Sequence, residues 1–375
     1  MTETIRLATR GSDLARRQTT AVAERLRNRR RDVELVEVET TGDQLREELI
    51  HRLGKTGAFV RSLDEKVIDG EVDAAVHSMK DMPTEFPEEL VVAGVPERAP
   101  ADDVLLTPDG GGLSDLPEGA TVGTSSLRRK AQLLAERPDL NVEPLRGNVD
   151  TRVEKLLAPA LQREHQRRME AEGDDSEAET AENGETEDDE TGESTETDEA
   201  EYDRSVEEWF DGLSEIERQA LGRDVETEFD AIILAEAGLR RMNLLEGLST
   251  QRLSSSFVSA PGQGAIAVTA LDGDLAEELQ ETLDHPRSRV ETTAERVVLE
   301  ELGGGCVAPI GIYAILQGEY VHTRVRVLSQ DGKTEVSATR DLPVETHAET
   351  AREFAADLAA EGAEELIRQA RRAEP

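Results

Sequence analysis

Two α/β units followed by a smaller α+β unit are the fold class this chain predicts, and three observations carry it. Short apolar runs alternate with helical stretches up to about residue 239, and the alternation restarts near residue 103. After residue 308, three strand-like runs follow one another with no helix between them. At 375 residues the chain is too long for one small core, so two or three domains are expected. Aromatics make up 3% of it, which leaves Val, Leu, Ile and Ala to fill the cores.

The first unit opens on the strand IRLAT (5–9), with Ser12 as N-cap of a helix whose Leu14, Ala15, Ala21, Val22 and Leu26 share one face. VELVEVE (33–39) alternates as a strand does, and 58–69 reads as a helix with Phe59, Leu63, Val67 and Ile68 in register. VDAAVHS (72–78) and LVVAGVP (90–96) are further strands, and the order predicts a mainly parallel sheet under helices. In the second unit DVLLT (103–107), ATVGT (120–124) and NVEPL (141–145) are strands, and Pro138 closes the helix SLRRKAQLLAERP. A helix starts at Val149, and EFDAIILAEAGL (228–239) runs from a buried strand into a helix. Trp209, Phe210, Leu213, Ile216 and Leu221 predict one short helix within 203–222. The third unit begins with a helix over 288–302 that buries Val290, Ala294, Val297, Val298 and Leu302. IGIYAILQG, YVHTRVRVLS and TEVSATRDL then predict an antiparallel sheet, closed by a helix carrying Phe354 and Leu358.

The formal charge of −39 argues against nucleic acid as a partner, because the field repels phosphate. Only Lys55, Lys66, Lys80, Lys130, Lys155 and Lys333 are lysines, and an acidic, lysine-poor surface points to a salt-adapted, halophilic source. Between Glu170 and Asp203 stand 18 acidic residues and no Lys or Arg, which predicts a solvated, disordered insertion. A single cysteine excludes an internal disulfide and fits a reducing cytoplasm. The start MTETIRLATR lacks a signal-peptide pattern, and no run approaches the roughly 18 apolar residues of a membrane span. A soluble, cytoplasmic chain without a membrane partner is expected.

Arginines cluster at turns and helix starts: ATRGSDLA (8–15), VGTSSLRRK (122–130), LRGNVDTR (145–152) and AGLRRMN (237–243). Small hydroxyl residues opening a helix leave N–H groups and the positive dipole end for an anion, and following arginines add bidentate contacts to carboxylates. Helix capping alone accounts for any one such segment. Several of them in an acidic protein point to a polycarboxylate or phosphate site. In VHSMKDMP (76–83), His77, Ser78, Lys80 and Asp81 gather after a buried strand, where a carboxylate beside cations can stabilise a developing cation or shuttle a proton. Cys306, on the glycine turn LGGGCVAPIG (302–311), is placed to be a nucleophile, a metal ligand or an attachment point. Six histidines with no ligand-like cluster argue against metal.

Taken in order, ATRGSDLA, HSMKDMP, VGTSSLRR, LRGNVDTR, FDAIILAEAGLRR, APGQGAIAV and GGGCVAP resemble the hydroxymethylbilane synthase, or porphobilinogen deaminase, family across residues 5–310. The resemblance implies two domains like type II periplasmic binding proteins around a central cleft, plus a C-terminal α+β domain. It also implies a covalent dipyrromethane cofactor held by a thioether to Cys306. Four porphobilinogen units are then added head to tail, each losing ammonia, and water releases hydroxymethylbilane for tetrapyrrole synthesis. Arg10, Arg128, Arg129, Arg146, Arg152 and Arg241 match the family's arginines that bind acetate and propionate groups and assist deamination. Ser12, Lys80, Thr124 and Ser126 fit as further anion donors toward the cofactor. Asp81 matches the aspartate that contacts pyrrole N–H groups and stabilises the cation left by ammonia, and Gln263 falls at an interdomain crossover. Where the family reads Gly-Lys-Gly-aliphatic-Phe, this chain has GKTGAF (54–59), which places Lys55 and Phe59 on a substrate loop shifted by one position. The crossovers set the expected limits: 1–98 with about 262–284, then 99–261 with an insertion over about 160–226, then 285–375 bearing the cofactor. A monomer is expected. A non-catalytic polycarboxylate-binding protein on the same scaffold is the alternative, and it gives Asp81 and Cys306 no role. A thiol redox protein lacks a second, resolving cysteine.

Overall fold

The computed structural model describes residues 4–27, 29, 31–38, 58–84, 87–181, 202–304 and 308–372. Three sheets organise it. The first is built from β1 (Ile5–Arg10), β2 (Val33–Val38), β3 (Ala74–Ser78) and β4 (Leu90–Gly94), joined by β10 (Ile266–Leu271) from far along the chain, in the order β2-β1-β3-β10-β4. Helix α1 (Asp13–Arg27) covers one face with Val22, Ala23 and Leu26 buried, and α2 (Ala58–Ile68) covers the other with Leu63 and Val67. Ala21, expected inside, is exposed; Thr19 and Ala23 take that face instead, since the buried stripe runs 18-19-22-23-26 at helical pitch.

The second sheet takes β5 (Asp103–Leu106), β6 (Thr121–Gly123), β7 (Asn141–Glu143), β8 (Ala231–Ala235) and β9 (Thr250–Arg252) in the order β7-β6-β8-β5-β9. Helix α3 (Leu127–Glu136) follows β6, and α4 (Val149–Ala181) follows β7. Two one- to two-turn helices, α5 (Val206–Gly212) and α6 (Glu215–Leu221), stand where one was expected, because Ser205–Glu208 and Ser214–Glu217 each form a capping box. Helix α4 also runs into the acidic segment as far as Ala181, carried by its Glu- and Ala-rich sequence; 182–201 lie outside the described residues. Helix α7 (Glu236–Arg241) continues straight from β8.

Both sheets are mainly parallel, as expected, but each holds one reversed strand. β10 runs antiparallel to β3 and β4, and β5 runs antiparallel to β8 and β9. The cause is connectivity: β5 and β10 are the strands by which the chain enters the second sheet and returns to the first. The two crossings lie side by side, with Ala99 N–H donating to Gly264 O at 3.1 Å. Gly264 has φ +84°, and a Cβ there would stand 2.3 Å from Ala99 O, so only glycine permits the approach.

Helix α8 (Asp274–Leu283) packs back on the first sheet, and α9 (Pro286–Glu301) leads into the third unit, with Pro286 at its first position. There β11 (Ile310–Gln317), β12 (Tyr320–Leu328) and β13 (Glu335–Pro343) form an antiparallel meander under α9, α10 (His347–Ala360) and α11 (Ala363–Arg372). Val321, Thr323, Val325 and Val327 are buried on one face of β12, while Arg324 and Arg326 reach from the other to carbonyls at Ser255 and Ser256. Phe354 and Leu358 sit fully inside, each contributing about 1.5–3 kcal/mol of apolar burial. A buried ion pair, Arg98–Glu295 at 2.8 Å, ties the unit to the crossings, since Glu295 also accepts from Gly262 N and Ala314 N. No described helix is long and apolar enough to cross a membrane.

Candidate functional site

A cleft opens where the C-terminal ends of β1 and β3 face those of β8 and the start of α4. Strand β1 ends at Arg10, and Gly11 follows it, packed against the Glu37 side chain. Ser12 then caps α1, its Oγ accepting from Ala15 N at 3.3 Å, so the first turn of the helix faces the cleft. After β3 the chain makes a 3-10 turn, Met79–Asp81, whose Lys80 and Asp81 both line the cleft. Gly262, at φ +73°, packs on Met79 and the Lys80 amide and holds that turn against the second crossing.

Arg129 from α3, Arg152 from α4 and Arg241 from the end of α7 complete the wall. Arg241 Nη2 donates to Gly264 O at 2.7 Å, and Arg152 Nε to Gly147 O at 2.8 Å, so both guanidiniums keep other N–H groups for a ligand. Among the described lining residues, four arginines and one lysine face a single carboxylate, Asp81. A cationic cleft in a chain of −39 is the reverse of its surroundings and focuses attraction on anions.

Burial leaves these cations under-solvated. It pushes Arg152 down to about 10, with neighbouring Arg129 adding to the effect and Asp81 opposing it. Burial also pushes Arg241 down to about 10. Lys80 is lowered for the same reason, with Arg129 and Arg152 against it and Asp81 in its favour. A carboxylate ligand would relieve all three.

Behind the wall lies a buried ionic cluster. Asp103, heading β5, accepts from Arg128 Nη1 at 2.7 Å and from Arg129 Nε and Nη2 at 3.0 and 2.7 Å. Burial alone would raise its pKa, but the two guanidiniums hold it far below the carboxylate range. Gln263 Nε2 donates to Asp103 Oδ1 at 2.9 Å and to Ala101 O at 2.6 Å, which places the Gln at the crossing. Arg128 is committed to this cluster and to Val258 O, and does not line the cleft. Arg129 does line it, with its remaining Nη1 hydrogen available beside the bond to Ile233 O.

Thus Arg10, Ser12, Lys80, Asp81, Arg129, Arg152 and Arg241 come together, as the sequence leads one to expect. Thr124 and Ser126 instead build the start of α3: Thr124 Oγ1 accepts from Ser126 N, and Ser126 Oγ from Arg129 N. Arg146 is half-buried on the turn before α4 and does not line the cleft. Lys55, the Phe59 side chain and Cys306 lie outside the described residues. Two residues were missed. Asp103 signalled itself only as an acid heading an apolar strand. Gln18, 5% exposed, lines the cleft with its Nε2 unpartnered; a glutamine inside the apolar stripe between Leu14 and Val22 was the available signal.

Comparison with known proteins gives the same direction. Residues 5–163 and 218–278 match the family described as porphobilinogen deaminase, dipyromethane cofactor binding domain, and 290–364 match the porphobilinogen deaminase C-terminal domain. The chain is 55% identical to a protein of Halobacterium salinarum named probable porphobilinogen deaminase, over 98% of each chain. It is 36% identical to one of the same name from Methanococcoides burtonii (97% of this chain, 96% of that one), and 34% identical to the porphobilinogen deaminase of Syntrophomonas wolfei (98% and 99%). Among solved structures it is similar to the alkanesulfonate-binding protein of Xanthomonas axonopodis pv. citri, with TM-score 0.33 and 12% identity over 97% of this chain and 94% of that one. With matches along nearly its whole length and a cationic cleft built around one aspartate, the chain belongs to the porphobilinogen deaminase family.

Proposed function

We propose that the cleft makes this chain a hydroxymethylbilane synthase, a transferase that joins porphobilinogen units with loss of ammonia. The observation that carries the reading is that, among the described lining residues, Asp81 is the one carboxylate beside five cationic side chains at the meeting of two sheets. Porphobilinogen is a dicarboxylate with a leaving amine, so its recognition needs cations and its chemistry needs one anion.

The residues fit the family's dipyrromethane, which is itself a polycarboxylate: the cleft offers guanidinium and ammonium donors, a capped helix start and the unpartnered Gln18 amide. In this reading Cys306 holds it by a thioether, and Arg129, Lys80 and Ser12 take its carboxylates, with Arg146, Thr124 and Ser126 supporting from the turn and helix start beside them. When bound, the dipyrromethane supplies the pyrrole carbon on which the chain grows. Arg10, Arg152 and Arg241 bind the incoming substrate's acetate and propionate, with Lys55 and Phe59 on its approach. Asp103 and Arg128 hold Arg129 in place. As the substrate's C–N bond breaks, the electron pair leaves with ammonia and positive charge spreads into the pyrrole ring. The Asp81 carboxylate accepts from the ring N–H and opposes that charge, a contribution made chiefly in the transition state.

The domain limits 1–98 with about 262–284, 99–261, and 285–375 are supported by the way the three sheets divide the chain. The charge of −39 with six lysines supports a salt-adapted protein, and one cysteine supports a reducing cytoplasm; we take it to act as a monomer. The test is Asp81→Asn. Porphobilinogen binding should persist while ammonia release falls by about 10²-fold or more. Binding without ammonia release in the unsubstituted protein would overturn the enzymatic reading in favour of a carrier of polycarboxylates.

A further inference from the structure

Beneath the Lys80–Asp81 turn lies a second polar cluster, apart from the arginine wall. Asp64 on α2, His77 on β3 and Thr269 on β10 are buried, at 5%, 5% and 0% exposure. Asp64 Oδ1 stands 2.9 Å from His77 Nε2 and accepts from Thr269 Oγ1 at 2.8 Å, and Thr269 Oγ1 lies 3.1 Å from the same imidazole nitrogen. Three elements therefore meet at one carboxylate oxygen. Around it, Ala8, Val38, Leu63, Val67 and Ala75 form an apolar cluster, which makes a polar triad at this depth costly unless it is satisfied.

An apolar trio would pack there at less cost, so what the polar one adds is direction. His77 is a cleft residue, paired in register with Ala267, and the chain leaves it through Ser78 into the turn that carries Lys80 and Asp81. That turn is clamped on one side by the second crossing, through Met79 N–H to Ala265 O at 3.1 Å and the close approach of Gly262. His77 fixes the other side. Its Nε2 is held by a helix and by the strand that returns from the second sheet, so the imidazole has one orientation, and with it the end of β3.

We propose that Asp64 and Thr269 are positioning residues that act through His77 to hold the Asp81 turn in its reactive placement. The hydrogen bonds, not the Asp64 charge, do the holding. The inference rests on the reading of Asp81 given above, and its test separates the two. Four variants are compared in fully loaded holoenzyme whose cofactor content is checked by mass: Asp64→Ala, Asp64→Asn, Thr269→Val and the double Asp64→Ala/Thr269→Val.

Asp64→Ala lowers kcat on the order of 10- to 100-fold, as a misplaced reactive group does, with KM for porphobilinogen within about twofold. Asp64→Asn, which keeps an acceptor at Oδ1, restores most of that loss. Thr269→Val, the mildest change, lowers kcat a fewfold, and the double variant falls short of the product of the two because both act on one imidazole. A kcat per loaded site that is unchanged in Asp64→Ala and Thr269→Val, with only Tm lowered, makes the triad structural and overturns the proposal. A loss in Asp64→Asn equal to that in Asp64→Ala overturns it as well. Absence of turnover in the unsubstituted holoenzyme would instead be a failure of the functional reading itself.

Discussion

Replacing Asp103 by Ala removes the one carboxylate between Arg128 and Arg129, all three side chains being no more than 6% exposed. Two guanidiniums are then left buried, side by side, with the neutral Gln263 Oε1 in place of a carboxylate between them. Removing one partner of a buried pair costs about 3–5 kcal/mol, far more than the pair contributes relative to an apolar replacement. For a domain of this kind each kcal/mol moves Tm by roughly 2–4 °C, which puts the loss at about 6–20 °C. The control is Glu228→Ala, which breaks Arg163–Glu228, an ion pair with both side chains more than half exposed. That change is worth at most about 1 kcal/mol and should be masked in concentrated salt, whereas the Asp103 effect should persist there. Differential scanning calorimetry at low and high salt reads both. Because Asp103 is held below the carboxylate range, its contribution is present above pH ~4 and is lost only in stronger acid. Equal Tm shifts for the two variants, or an Asp103→Ala shift abolished by salt, would refute the assignment of Asp103 as the counter-charge that holds Arg129.

Gln18→Leu should raise the KM for porphobilinogen about tenfold or more while leaving Tm unchanged or higher, since the buried Nε2 has no protein partner to lose; a lower Tm with unchanged KM would make Gln18 structural. Arg152 and Arg241, pushed down to about 10, should recover protons when a carboxylate binds, so affinity for a pyrrole dicarboxylate lacking the amine weakens as pH rises toward 10. Calorimetry near pH ~9 in two buffers of different ionisation enthalpy should show proton uptake, and zero uptake would contradict the under-solvated wall. Glu295→Ala strands Arg98 at the crossings and should cost about 3–5 kcal/mol, read as faster proteolytic separation of the third unit; an unchanged cleavage rate would show that the pair does not hold that unit.

Much of this was legible in the sequence because local signals and tertiary outcome agreed. Alternating Val–Glu in β2, the apolar run of β8 and the Ser126 cap of α3 each specify their element without help. The Arg-bearing turns and the HSMKD segment sit where strands end, so their convergence followed from the α/β grammar. What stayed hidden depends on contacts distant along the chain. The antiparallel sense of β10 is set by its return from the second sheet, and nothing in IAVTAL states a direction. Arg128 and Arg129 read alike as neighbours on one helix, yet their guanidiniums divide between an inner cluster and the cleft. That division depends on Asp103, 25 residues earlier, and on Val258, 130 later. Asp64 lay inside a helix that read simply as amphipathic, and only the fold brings it to His77 and Thr269.

The central claim is that substrate grows covalently on this chain under the control of Asp81, and the mass of the Cys306 peptide tests it most directly. Purified protein should carry two pyrrole units on Cys306 before substrate is added. With limiting porphobilinogen, that mass should climb in steps of one substrate less one ammonia, and then fall back as product is released. A peptide with bare Cys306, in protein that is turning substrate over, would contradict the account.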